Sequence, residues 1–426
     1  MNSNIIIAIV IFLVTYALIL SEKLHRAVIA LAGGMLVIIL GVIEQKEAIE
    51  SIDFNTIGLL IGMMIIVGIT RRSGVFEFLA IKAAKLAKGD PWHILLFLSI
   101  ITAVLSGLLD NVTTVLLIVP VTFAITAALN LNPVPFLVTQ ILASNIGGTA
   151  TLIGDPPNIM IGSATELGFI DFIINLTIPV IVVFIVTMLI IRIIYRKDLI
   201  TEEALKADIM NFEENNSLKD RALLKKSLIV LVLTILGFIL HQSLHLESAT
   251  VALSGAALLL LITREEPEDI LLAVEWPTIF FFAGLFILVG SLEQVGILKV
   301  IAQKSIEATG GSLFQISMMI LWLSAIVSAF LDNIPFTATI IPLIQSIGQL
   351  GGIENLNPVW WSLSLGACLG GNGTLIGASA NVIVAGIAEK NGSPLSFRGY
   401  LKIAFPLMIL SIVISSAYLY LRYFAF

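Results

Sequence analysis

Leu109-Asp110-Asn111-Val112-Thr113-Thr114 and Leu331-Asp332-Asn333-Ile334-Pro335-Phe336 interrupt two long apolar stretches with the same Asp-Asn pair. Asp110 and Asp332 lie 222 positions apart, as do Pro120 and Pro342 downstream of them. A second duplicated stretch follows each. It reads Gly147-Gly148-Thr149-Ala150-Thr151-Leu152-Ile153-Gly154-Asp155-Pro156-Pro157-Asn158, then Gly370-Gly371-Asn372-Gly373-Thr374-Leu375-Ile376-Gly377-Ala378-Ser379-Ala380-Asn381. A carboxylate near the bilayer centre costs about 2.5–3.5 kcal/mol on insertion scales, so duplicated ones point to function rather than packing. Repeats whose helices break at matching places are the sequence pattern of a secondary transporter.

The composition agrees. The chain is 58% hydrophobic and 12% charged, with a mean hydropathy of +1.05. Apolar runs near 20 residues recur, each long enough to cross a bilayer core. One cysteine, Cys368, rules out an intramolecular disulfide and a multi-thiolate metal site. His25, His93, His241 and His245 show no metal-ligand spacing. No basic cluster suits nucleic acid. Asn2 to Leu20 lacks a basic start and a small-residue cleavage site, so it reads as a retained first span.

Continuous spans are predicted at 4–20, 27–43, 54–70 and 172–195, with a broken one across 134–168. The second repeat gives 226–242, 248–263, 276–292 and 402–424, with a broken one across 358–388. Two apolar arms meet at each Asp-Asn pair, over 92–129 and 314–350, as re-entrant hairpins or as two full spans. Either way each half crosses an odd number of times, so the repeats are inverted. The expected organisation is an N-terminal repeat 1–196, a partly mobile cytoplasmic linker 197–225 and a C-terminal repeat 226–426. With both termini outside, only Lys46, Lys299, Lys304 and Arg422 of the 23 lysines and arginines fall on the outer face, as the positive-inside rule requires. Arg26, Arg71, Arg72 and Lys82 belong to the inner set, and 74–88 reads as an interfacial helix there.

The glycine-rich breaks carry the chemistry. Gly147, Gly148 and Gly154 permit an unwound turn, and Pro156-Pro157 suits a helix restart. Amides at the new helix N-terminus attract negative or hydroxyl groups, and unwound carbonyls coordinate cations. Thr149, Thr151 and Asn158 add neutral ligands, matched in the second copy by Asn372, Thr374, Ser379 and Asn381. That copy replaces Asp155 by Ala378 and Asn145 by Cys368, so the site is asymmetric. The Asp-Asn pairs admit a blander reading as surface hairpin turns, weakened by their duplication. Gly58, Gly62, Gly68 and Gly290 read as helix-packing positions, Cys368 as a small packing residue, and Glu247 and Glu275 as solvated span ends.

These motifs resemble the ion transporter superfamily, in the arsenite permease, sodium/proton antiporter and P-protein group. The resemblance spans about 27–425. It implies an all-α membrane protein of two inverted repeats, each of about five spans (one broken) plus a re-entrant hairpin. It also implies an elevator-type movement of the hairpins and broken helices against a scaffold. In dicarboxylate-carrying relatives the hairpin-tip asparagines and the unwound loops bind sodium and substrate. Asn111, Asn333, Thr151, Asn158, Thr374 and Asn381 occupy those positions here. Asp110 and Asp332 stand where those carriers have a neutral residue, which disfavours an anionic substrate.

The expected function is secondary transport in a prokaryotic plasma membrane, with arsenite or antimonite efflux in exchange for protons as first choice. A neutral trihydroxy acid suits Asp, Asn and Thr acceptors. The candidate binding set is Asp110, Asn111, Thr113, Thr114, Asn145, Gly148, Thr149, Thr151, Asp155, Asn158, Asp332, Asn333, Thr337, Asn372, Thr374, Ser379 and Asn381. Asp110, Asp155 and Asp332 are the proton-coupling candidates, with no cofactor or metal beyond a coupling proton or sodium ion. Rival readings are a sodium/proton antiporter and sodium-coupled uptake of a small anion. A channel or an intramembrane protease fits the motifs less well. The partners considered are the lipid bilayer, a second copy of the chain, and an arsenite-stimulated ATPase docking on 197–225.

Overall fold

The computed structural model describes residues 3–21 and 23–425, which form helices without strands. The first half comprises α1 (Ser3–Leu20), α2 (Arg26–Ile39), α3 (Gln45–Glu50), α4 (Phe54–Arg72), α5 (Val75–Leu86), α6 (Pro91–Leu108), α7 (Asn111–Ala128), α8 (Val134–Gly148), α9 (Pro156–Ala164) and α10 (Phe169–Tyr195). After α11 (Glu203–Met210) the same order returns. It runs α12 (Arg221–Leu240), α13 (Ser248–Thr263), α14 (Pro267–Leu271), α15 (Trp276–Gln294), α16 (Ile297–Thr309), α17 (Leu313–Phe330), α18 (Asn333–Gly351), α19 (Asn357–Gly370), α20 (Ser379–Lys390) and α21 (Phe397–Tyr423). Eight helices among the described residues are long and apolar enough to cross a membrane. The short helices α3 and α14 were not expected from the sequence. The last span of each half also begins earlier than expected, at Phe169 and Phe397.

The repetition reaches single backbone angles. Gly74 and Gly296, 222 positions apart, both enter the left-handed region, at φ 80° and 77°, to start α5 and α16. A side chain is strained in that region, so glycine is required at both turns.

The halves interlock through small residues. Helix α4 packs on α13 and α2 on α15, one helix of each pair coming from each repeat. A Cβ on Gly62 would stand 2.6 Å from the Ala252 backbone, and one on Gly34 would stand 2.9 Å from the Gly284 carbonyl oxygen. Gly58 meets Ala249 and Gly290 meets Ser51 in the same manner, so these glycines serve close helix approach. Within each half α6 packs on α8 and α17 on α19, while α9 crosses to α18 and α20 to α7.

The hairpins α6–α7 and α17–α18 end in tips enclosed by protein. Each arm of 18 or 19 residues rises about 1.5 Å per residue, close to a bilayer core in length. Yet the tips are buried: Asn111 is 3% exposed and Asn333 2%. Surface turns would leave these polar groups in water.

The segment between the repeats is anchored to the helices beside it at several points. Lys85 Nζ donates to Glu214 Oε2 (2.6 Å) and to the Phe212 carbonyl (3.0 Å). The Lys219 amide donates to the Ser73 carbonyl, and Thr201 Oγ1 to that of Leu129. Of its mixed charges, Glu214 pairs with Lys85 of α5 and Asp220 caps α12. Helix α12 also starts at Arg221, inside the expected linker.

Candidate functional site

At each break the backbone passes too close to neighbouring backbone for side chains. A Cβ on Gly370 would lie 2.6 Å from the Ala325 carbonyl oxygen, and Gly147 is crowded likewise against Ala103. Gly154 faces the Gly148 carbonyl, and Gly377 faces that of Gly371. The loops between α8 and α9 and between α19 and α20 thus fold back on their own helix ends.

Two asparagines pin these loops. Asn158 Nδ2 donates to the carbonyls of Thr149 (3.0 Å) and Thr151 (2.9 Å). Asn381 Nδ2 donates to those of Gly371 (2.7 Å) and Thr374 (2.9 Å). Two of the carbonyls freed in each loop are thereby satisfied, as a buried backbone requires. Thr151 Oγ1 donates to Gly107 O and Thr374 Oγ1 to Ala329 O, tying each loop to the hairpin arm of its own half.

The two halves meet through amides. Asn145 Nδ2 donates to Asn372 Oδ1 (3.0 Å) and Asn381 Oδ1 (2.9 Å). At the equivalent place Cys368 Sγ lies 3.6 Å from Asn158 Oδ1, which also accepts from Ser364 Oγ at 2.6 Å. Asp155 lies fully buried at the centre. Asn111 Nδ2 donates to Asp155 Oδ1 (3.2 Å), and Asn333 Nδ2 donates to Oδ1 and Oδ2 (3.1 and 3.3 Å). Both hairpin tips therefore grip one carboxylate, which has no ion-pair partner among the described residues.

The two tip carboxylates differ. Asp110 caps α7 by accepting from the Thr113 amide at 2.7 Å. Asp332 caps α18 through the Ile334 amide, and its Oδ2 also accepts from Arg26 Nη1 and from Ser379 Oγ. Arg26 was expected among the cations of the inner surface. It instead reaches into the site, its guanidinium 5.0 Å over the Phe281 ring. Glu275, expected to be solvated, is half-buried and accepts from Thr278 Oγ1 at 3.2 Å. Asp110, Glu275 and Arg26 line one central cavity of about 20 Å³, room for about one water molecule, together with Asn111, Asn333 and Ser379.

Of the candidate residues, Asp110, Asn111, Asn145, Asp155, Asn158, Asp332, Asn333, Asn372, Ser379 and Asn381 form this connected centre. Thr149 and Thr337 hydroxyls bond backbone carbonyls one turn back, as support rather than lining. Thr114 is buried with its hydroxyl unpaired, Thr113 supplies the capping amide, and Gly148 serves the close loop crossing. Sequence reasoning missed Arg26, Glu275 and Ser364. Arg26 and Glu275 sit at helix starts, where charges are ordinarily solvated, and the 306-residue separation of Arg26 from Asp332 in the chain hides their pairing.

The family described as "Citrate transporter" (CitMHS) matches residues 16–366. The chain is 43% identical over 425 residues to an uncharacterized transporter of Mycobacterium tuberculosis, covering 98% of this chain and 99% of the relative. It is 33% identical over 501 residues to the P protein of Homo sapiens, covering 98% of this chain and 60% of that protein. Its fold is similar to that of the YdaH transporter of Alcanivorax borkumensis, with a TM-score of 0.57 at 14% identity, over 86% of this chain and 85% of that one.

Proposed function

The chain belongs to the CitMHS family of membrane transporters, and we propose that it is a secondary carrier exchanging protons for a small cation, sodium in the first instance. It is a multi-pass membrane protein, and its family and relatives are transporters rather than enzymes. The observation that carries the reading is the charge balance at the centre. Asp110 and Glu275 line the cavity and Asp155 lies behind it, while the one cation on that lining, Arg26, is taken by Asp332. Such a lining attracts a cation or a proton and repels an anion. A cavity with room for about one water suits a bare ion. Carboxylates with no cationic partner must be neutralised by the cargo or by protons, and that competition is the coupling.

A second reading keeps the expected arsenite or antimonite exchange. The neutral acceptors Asn111, Asn333 and Ser379 on the lining favour a hydroxylated neutral acid, and Cys368 lies off that lining, so no thiolate trap forms. A free tricarboxylate, or any small anion taken up with sodium, would add negative charge to an acidic lining. The proposal extends to movement and orientation. The hairpins and broken helices travel against the α2–α4–α13–α15 unit, and both termini face outward, as the lysine and arginine distribution supports.

Everted vesicles with an imposed pH gradient test the cargo. Sodium addition should collapse the gradient in the natural protein and fail to do so in Asp155→Asn. Proton-driven arsenite accumulation with no sodium response would transfer the proposal to the second reading. Citrate accumulation with neither response would overturn both.

A further inference from the structure

Two cavities share one wall at Arg26. The central cavity touches Arg26 and Ser379, and so does a larger vestibule of about 380 Å³ bounded by α1, α2, the second hairpin and α20. Asp332 lines the vestibule, and Asn333 next to it lines the central cavity. The Arg26–Asp332–Ser379 cluster therefore lies between the two. Its members come from three different helices. Arg26 starts α2 and covers Phe281 of α15, whereas Asp332 tips the second hairpin and Ser379 starts α20.

The other half has no such cluster. The positions 222 or 223 before or after these residues hold Ser248 for Arg26 and Pro156 for Ser379, and Asp110 has no ion-pair partner among the described residues. Pseudo-symmetry thus duplicates the carboxylate without its cation. A structural ion pair needed by both tips would have been duplicated too.

We propose that Arg26 is a tethered counter-cation and gate: it neutralises Asp332 in the cargo-free carrier and closes the passage from the vestibule to the central cavity. Opening requires Asp332 to exchange Arg26 for a mobile cation. That last step rests on the cation reading above; the gate does not. The guanidinium suits this task because its planar fork bonds a carboxylate and a hydroxyl at once, and it stays charged throughout.

The test is a thiol placed behind the gate. Met64 lines the central cavity and not the vestibule. In a Cys368→Ser background, Met64→Cys is labelled by a small charged methanethiosulfonate, applied separately to everted and to right-side-out vesicles. Arg26→Gln should speed labelling about tenfold from the vestibule face, equivalent to about 1.4 kcal/mol in opening. Arg26→Lys should give an intermediate rate. Equal rates in all three would overturn the gate. If Arg26→Gln alone misfolds, Arg26→Gln with Asp332→Asn removes both charges, and slow labelling in that well-folded pair would equally overturn it. Sodium should speed labelling of the Arg26 protein and leave Arg26→Gln unchanged. Gate-dependent labelling that ignores sodium would keep the gate and reject the cation as its key.

Discussion

Asn333, on the tip of the second hairpin, donates both to Oδ1 and to Oδ2 of Asp155, 178 residues earlier in the broken helix of the first half. One side-chain amide thereby joins the two repeats at the only acid among the four loop-and-tip positions that lacks a duplicate. The Asp-Asn tips recur in both halves; Asp155 faces Ala378 as its counterpart. Symmetry supplies the cradle, and a single substitution supplies the charge.

A fully buried carboxylate held only by neutral donors is costly when ionised, because such donors return only part of its hydration energy. Asp155→Asn should therefore leave the melting temperature in detergent unchanged or raised, while abolishing coupled exchange. Functional sites often retain such local cost. A melting temperature lowered by several degrees would make Asp155 a structural residue and remove it from the coupling scheme.

Asn158 and Asn381 should behave oppositely. Asn381→Ala strands the carbonyls of Gly371 and Thr374 and leaves Asn145 Nδ2 with one acceptor fewer. Each buried group left unpaired costs about 1–3 kcal/mol. The variant should lose yield and monodispersity in size-exclusion chromatography before any transport assay is reached. Asn158→Ala should do the same, through Thr149, Thr151 and Ser364. Wild-type thermal stability in either variant would show that water replaces the amide and that the loops need no pin.

The Lys85–Glu214 pair fastens the inter-repeat segment to α5. The Lys85 ammonium holds the Glu214 carboxyl below the usual glutamate range. A depressed carboxyl contributes above its ordinary pKa and loses that contribution as pH falls through the depressed value. Limited proteolysis within 211–220 should therefore stay slow at neutral pH and accelerate only in strong acid, below the ordinary glutamate range. Lys85→Ala should cleave rapidly at every pH. A protease rate indifferent to Lys85 would mean that the Lys219–Ser73 and Thr201–Leu129 bonds hold the segment unaided.

Much of this was legible in the sequence, for reasons tied to particular residues. The 222-residue spacing of Asp110 and Asp332 gave the repeat, and the Gly-Asp-Pro-Pro-Asn run gave the helix break. Both are local patterns that lipid tolerates only where unwound backbone and carboxylate are enclosed by protein or line a cavity. Arg26 was misplaced because topology rules count a cation near a span end as interfacial, whereas its guanidinium turns inward over Phe281. Glu275 was misread because an acid at a helix start is ordinarily solvated, whereas here it is half-buried against the cavity. The anchoring of the linker was not legible because the pairing between Lys85 and Glu214 spans 129 residues, which no local pattern encodes. Long-range polar partners are fixed by tertiary packing alone.

Pseudo-symmetry also permits moving the charge. Asp155 accepts from Asn111 of its own half and from Asn333 of the other. By the same relation, a carboxylate at position 378 would meet Asn333 of its own half and Asn111 of the other. Ala378 is buried, with its Cβ close to Gly371 and its chain neighbour Ser379 bonded to Arg26. Asp155→Ala should abolish exchange, and adding Ala378→Asp should restore about a tenth of the natural rate, a deficit of about 1.4 kcal/mol in the barrier. The shortfall has a physical source: the moved carboxylate lies nearer Arg26, which would compete with the cargo for it. Adding Arg26→Gln to that pair should raise the recovered rate further. No recovery in a well-folded double variant would mean that Asp155 works through contacts without a counterpart at position 378, such as those around Cys368 and Asn158, rather than through the amides that the two tips share.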